Sequence, residues 1–244
     1  MDNRGDISKP GNKGAIGSMF DNIAGRYDFL NHLLSFGIDR LWRAKAVRII
    51  SGRYKNPKLL DVATGTGDLA IAAMKLDPFH VTGIDISEKM LEEGRVKIMK
   101  RGLSGRIELI PGDSENIPYS DYTFDIAMVA FGVRNFSNPL KGLTEMNRVL
   151  KNRGMIMVLE FSKPERFPFK QVYYFYFKKL LPVIGRIFSK NRTAYKYLPE
   201  SVMQFPDSEQ FVELIESAGF SDISRKKLTG GVASIYTGIK TETQ

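Results

Sequence analysis

The chain has 244 residues, no cysteine, and 36 lysines and arginines against 27 acids, a formal net charge of +9. That length suits one globular domain with an extension and buries enough apolar surface to fold without staples. The missing thiols exclude disulfides, thiolate metal sites and cysteine nucleophiles, and with only His32 and His80 as histidines no metal site is expected.

Residues 1–18 are rich in glycine and charge and read as a mobile tail, with no apolar core of the kind a secretory signal carries. No run approaches eighteen uncharged apolar residues, so a cytoplasmic location is expected, peripheral to a membrane at most. Residues 19–50 carry a helical pattern around a break at Ser35–Gly37, and Trp42 in its second half reads as a packing anchor. From residue 58 the pattern changes. Strands are predicted over 58–63, 80–86, 106–110, 124–131 and 155–161, with helices over 68–75, 88–100 (capped by Ser87) and 139–150. Such alternation implies right-handed βαβ units and a parallel sheet covered on both faces. A helix then runs from Asp207 or Ser208 to Ser217. Strand-like runs follow over 222–228 and 232–239, joined by Thr229–Gly230–Gly231, a short link that suits an antiparallel pair. The sheet is therefore expected to be parallel except at one edge, occupied by the last strand.

The charge is local. Between Lys163 and Pro199 nine basic residues face one acid, Glu165, while the rest of the chain is nearly balanced. Within the expected insertion 163–206, residues 167–190 place Tyr173, Tyr176, Phe177 and Leu180 on one side of a helix and Lys178, Lys179 and Arg186 largely on the other, with Pro182 as a break. A basic aromatic amphipathic helix fits an interfacial membrane contact, and equally a cap that completes a pocket. RNA is a third way to use such charge, disfavoured by the long apolar stretches between the cations.

Chemistry concentrates at the expected strand ends. The run LLDVATGTGDLA (59–70) puts Gly65 and Gly67 in a sharp turn before a helix, where backbone can approach a ligand. Asp85, about twenty residues on, is placed for a ribose diol, although the pattern alone also fits a dinucleotide. After the third strand, Asp113 and Ser114 place a carboxylate and a hydroxyl where an adenine would lie. After the fourth comes FGVRNF (131–136), with Arg134 and Asn135 at the mouth of the core.

The Asp113–Ser114 pair and the reversed terminal hairpin resemble the class I S-adenosyl-L-methionine-dependent methyltransferases, which implies a seven-stranded α/β sheet. A closer resemblance, to the ubiquinone/menaquinone-biosynthesis C-methyltransferases, covers nearly everything from residue 18. It rests on MFDNIAGRYDFLNHLLSFGIDRLWR (19–43), LDVATGTGDLA (60–70), GDSENIPYSDYTFD (112–125), FGVRNF (131–136), RVLKNRG (148–154), LEFSKP (159–164) and YKYLPESVMQFPDSEQF (195–211). The resemblance implies S-adenosylmethionine as cofactor and a lipid-tailed quinol as substrate, demethylmenaquinol becoming menaquinol. A benzoquinol of the ubiquinone route or, from another class, RNA stand as alternatives. It further implies a single methyltransferase domain over 19–244 with 19–50 as a helical lid. A membrane contact through 167–190 is expected, with no nucleic acid partner, and a homodimer is left open. Gly65, Thr66 and Gly67 would face the methionine part, Asp85 the ribose, and Asp113 and Ser114 the adenine. One departure is Ala130, where some members carry a serine that contacts the cofactor.

Methylation at a ring carbon needs a neighbouring phenolate-like oxygen to be stabilised and the reacting atoms to be held in line. Arg134 and Asn135 suit the oxygen; an arginine paired with a carboxylate that merely orders the loop is the plainer alternative. Tyr27 and His32 on the lid are the other candidates, a hydroxyl for cofactor or substrate and an imidazole for proton relay, although a surface or satisfied core role is preferred for His32.

Overall fold

The structure, a computed structural model, describes residues 13–25, 27, 28, 35, 37–175, 192–206 and 208–242. The apolar runs form strands β1 (Lys58–Val62), β2 (His80–Asp85), β3 (Ile107–Pro111), β4 (Phe124–Ala130), β5 (Leu150–Phe161), β6 (Phe220–Leu228) and β7 (Ala233–Lys240). They join in one sheet of order β3-β2-β1-β4-β5-β7-β6, parallel from β3 to β5 and antiparallel through β7 and β6. Helices α1 (Lys13–Asp21), α2 (Ile38–Ile50), α3 (Asp68–Ala73), α4 (Glu88–Lys100), α5 (Pro139–Val149), α6 (Phe169–Phe175), α7 (Arg192–Gln204) and α8 (Ser208–Ser217) complete the described elements.

Alternate residues of the central strands enter two separate cores. Leu59, Ile126, Met128, Met155 and Met157 pack under α2, α3 and α4, whereas Leu60, Ala127, Val129, Ile156 and Val158 pack under α5 and α8. Burial on both faces is why these strands read as continuous apolar runs. Each fully buried large side chain contributes roughly 1.5–3 kcal/mol. Trp42 is an anchor of the first core, edge-on to Phe161, with its indole N–H donating to Thr229 Oγ1 at 2.9 Å. Local signals set the helix ends. Ser87 accepts from Met90 N at 3.3 Å and Asn138 accepts from Lys141 N with Pro139 next; the end of α5 is held from afar as well, by Lys240 Nζ of β7 donating to Asn147 O and Leu150 O.

The order of the last two strands and several boundaries differ from expectation. β7, not β6, lies inside the sheet: its residues are buried almost throughout, while β6 alternates buried and solvent-facing positions as an edge strand does. β4 stops at Ala130 because Phe131 turns to φ 58°, and β1 stops at Val62 because Ala63 turns to φ 52°. β5 begins at Leu150, with a register jump from Phe124↔Leu150 to Ile126↔Met155 that sets residues between them aside. The tail expected through residue 18 ends sooner. α1 starts at Lys13, buries Ile16 and Met19, and packs on α4.

Candidate active site

The C-terminal ends of β1 to β4 open into a cleft. Gly65, Asp85, Gly112–Glu115, Ala130–Gly132 and Asn135–Ser137 form its walls, and Lys13, Ile16 and Phe20 of α1 close over it with Tyr27. A smaller recess of about 360 Å³ shares Tyr27, Ala63, Gly65, Ala130 and Phe131 and leads down to Asp61 and Arg43. Two non-glycine residues in the left-handed region, Ala63 and Phe131, stand at neighbouring strand tips. Such strain collects at functional sites.

The turn after β1 is held from β2. Asp85 Oδ2 accepts from Gly65 N at 2.8 Å and Oδ1 from Ser87 N at 2.9 Å. Burial pushes the Asp85 carboxyl above its usual range, against the pull of these N–H groups, and nearby Asp21 adds to the rise. Gly67 caps α3 at φ 78°, a conformation that favours glycine, but it does not line the cleft. Thr66 lines only the smaller recess, and its hydroxyl is turned aside, donating to Asp28 Oδ1 at 2.5 Å and accepting from Lys97 Nζ at 2.9 Å.

At the far end, Asp113 and Ser114 line the cleft as expected. Lys13 reaches over them, 2.6 Å from Asp113 Oδ2 and 3.0 Å from Glu115 Oε2. Burial works to raise the Asp113 carboxyl, but the Lys13 ammonium and the Glu115 N–H outweigh it and hold the group low. Ser137, also in the wall, has a buried hydroxyl with no partner.

Two buried acids at the site were not singled out from the sequence. Asp61, inside β1, is 1% exposed; its Oδ2 accepts from Thr64 Oγ1 and Ala70 N, while Oδ1 is buried, without a partner, at the recess. Burial pushes its carboxyl up to about 7. An orphaned carboxylate oxygen beside a glycine turn suits a cationic ligand group. Glu160, at the end of β5, is fully buried, and the only signal for it is its place in LEFSKP.

Glu160 changes the reading of Arg134. The Arg134 guanidinium donates to Glu160 Oε1 at 2.8 Å and to the Phe131 carbonyl, and stacks over the Phe161 ring. Only 7% of its side chain is exposed, and it is absent from the cleft wall. Arg134 is thus tied into the β4 turn by an acid 26 residues away on the next strand, the plainer of the two roles expected for it, while its Nε is buried without a partner. Asn135 does line the cleft, and its Oδ1 accepts from Tyr197 OH at 3.0 Å. Tyr27 is in place too, lining both spaces beside Gly65 and edge-on to Phe20. His32 lies outside the described residues.

This sheet order, with a glycine turn after β1, an acid ending β2 and an acid after β3, defines a class I S-adenosylmethionine-dependent methyltransferase. A solved S-adenosylmethionine-dependent methyltransferase from Aquifex aeolicus shares the fold with a TM-score of 0.61 at 21% identity, over 91% of this chain and 97% of that one. The model of the ubiE/COQ5 methyltransferase family matches residues 9–240, and the chain belongs to that family. It is 50% identical to the ubiquinone/menaquinone biosynthesis C-methyltransferase UbiE of Geotalea daltonii, over 92% of this chain and 96% of the relative. To the demethylmenaquinone methyltransferase of Bacteroides fragilis it is 45% identical, with 92% of each chain covered. The chain is an enzyme that takes its methyl group from S-adenosylmethionine, and the orphaned Asp61 oxygen and the carboxylates of Asp85 and Asp113 fit that molecule's ammonium, ribose and adenine.

Proposed function

We propose that the chain methylates a ring carbon of a lipid-tailed naphthoquinol, demethylmenaquinol, giving menaquinol. The observation that carries this reading is that relatives at 45% and 50% identity, one from each of two bacteria, both have menaquinone in their names. A demethylated benzoquinol is the second reading, favoured by the Geotalea name, which covers both quinones.

Bound S-adenosylmethionine supplies an electrophilic methyl on a sulfonium whose leaving group departs neutral. The protein's own task is then to position the acceptor and to stabilise charge on the quinol oxygen beside the attacked carbon. Asp85 holds the ribose diol, Asp113 and Ser114 the adenine edge, Asp61 the ammonium, and Gly65 and Tyr27 enclose the methionine end. Asn135 is the cleft-lining donor for the quinol oxygen. Arg134, tied to Glu160, fixes the turn that carries Asn135 and keeps a positive charge behind it.

A lipid-tailed acceptor is met at a membrane surface. Phe167, just before α6, and Phe175, its last residue, have 80% and 65% of their surfaces exposed, in a stretch of sequence that also carries Lys163, Arg166 and Lys170. Tyr173, expected on the apolar side, is indeed turned inward, while residues 176–190 of the expected contact lie outside the described residues. Among the described residues no helix is long and apolar enough to cross a membrane.

Methyl transfer from labelled donor to demethylmenaquinol, a demethylated benzoquinol and bulk RNA, run in parallel, tests the reading. Label entering the naphthoquinol fastest is expected. Preferential labelling of the benzoquinol supports the second reading, and labelling of RNA alone overturns both.

A further inference from the structure

We infer that Tyr197 is a positioning residue: from α7 it orients the Asn135 carboxamide so that its NH₂ faces the acceptor substrate. This rests on the reading of Asn135 as donor and adds the element that makes it one.

A carboxamide has an acceptor end and a donor end, so fixing the oxygen fixes the nitrogen. The Tyr197 hydroxyl donates to Asn135 Oδ1 at 3.0 Å, and among the described residues this is the only hydrogen bond made by that side chain. With its oxygen engaged, the amide presents its N–H groups to the cleft that Asn135 lines. The backbone beneath is already set. Asn135 N donates to Gly132 O at 2.9 Å, and Arg134 in the same short turn is clamped by Glu160. What the turn leaves undetermined is the rotation of the amide itself, and Tyr197 determines it. Burial raises the phenol, with Arg134 opposing and Glu160 reinforcing the rise, so at neutral pH the hydroxyl keeps the proton it donates.

The arrangement also gives α7 a role in the reaction. The helix comes from the chain's basic insertion, far in sequence from the strand tips, and α7 packs against the turn that holds Asn135. Without it the donor's direction is open, and a donor free to rotate loses its benefit for a developing oxyanion.

The test is a four-member cycle, with Asn135→Asp beside it, read as kcat and as the KM for each substrate, with demethylmenaquinol in detergent micelles. Asn135→Ala is expected to lower kcat by about 10²-fold, the usual loss for one oxyanion donor. Asn135→Asp, which can still accept from Tyr197 but has no N–H to give, should be as slow. Tyr197→Phe should lower kcat by roughly tenfold with the KM for S-adenosylmethionine and the melting temperature unchanged, since only orientation is lost. In the double variant Tyr197→Phe/Asn135→Ala the tyrosine change should cost nothing further. If the two effects multiply, or if Tyr197→Phe turns over like the parent while Asn135→Ala is slow, Tyr197 does not act through Asn135. If both Asn135 variants match the parent, Asn135 is no donor, and the underlying reading fails with the inference.

Discussion

Asp61 shows how a single atom can carry information that spacing does not. In sequence it is one more residue of a buried strand, and only its unpartnered oxygen at the recess sets it apart. Its carboxyl is raised to about 7, so between about pH 4 and 7 the folded chain holds a proton that the unfolded chain has released. The stability this confers is complete below about pH 4 and is lost as pH rises through 7. A ligand ammonium needs the ionised form. Calorimetric affinity for S-adenosylmethionine should therefore climb up to about tenfold per pH unit below 7 and level off above it. Asp61→Asn should bind more weakly with a flat profile; an equally steep one would remove Asp61 from the site. Arg134 makes the opposite point. Its type suggested an oxyanion partner, but its acid stands on a neighbouring strand that no local pattern connects to it. Breaking a buried pair strands a charge, at about 3–5 kcal/mol. Arg134→Ala should accordingly lower the melting temperature sharply as well as turnover. Lost turnover with an unchanged melting temperature would return Arg134 to direct catalysis. That Asp85 and Asp113 stand at the cleft was legible from their places where β2 and β3 begin to turn into loops.

Among the elements, α1 departs most from its sequence. Glycine and charge suggested a tail, yet Ile16 and Met19 pack inward and Lys13 bridges Asp113 and Glu115 across the β3 end of the cleft. Because that ion pair is more than one-third exposed at Lys13, it adds little stability, roughly 0–1 kcal/mol for pairs of this kind. Its effect should be kinetic. Lys13→Met is expected to speed S-adenosylmethionine association in stopped-flow fluorescence with almost no change in melting temperature; unaltered association would mean that the bridge never stands in the way. The order of the terminal strands was only half legible. A glycine link announces an antiparallel pair, but which member lies inside depends on burial of both faces of β7, seen only once β5 is beside it.

For the whole molecule, the α/β alternation was readable because the central strands are buried on both faces and the helices are capped by local signals. The acceptor was not readable from the fold, which serves many reactions. Family membership brings it near. What distinguishes a quinol C-methyltransferase is that the new bond is to ring carbon; on the proposed reading Asn135 steadies the oxygen beside it instead of letting that oxygen take the methyl. The most direct measurement is the product of a single reaction with trideuteromethyl-labelled donor and demethylmenaquinol, analysed by mass spectrometry and carbon NMR. The label should appear on the quinone ring carbon as menaquinone after reoxidation. A deuterated methyl ether on the quinol oxygen, or an unlabelled quinol with label elsewhere, would contradict it.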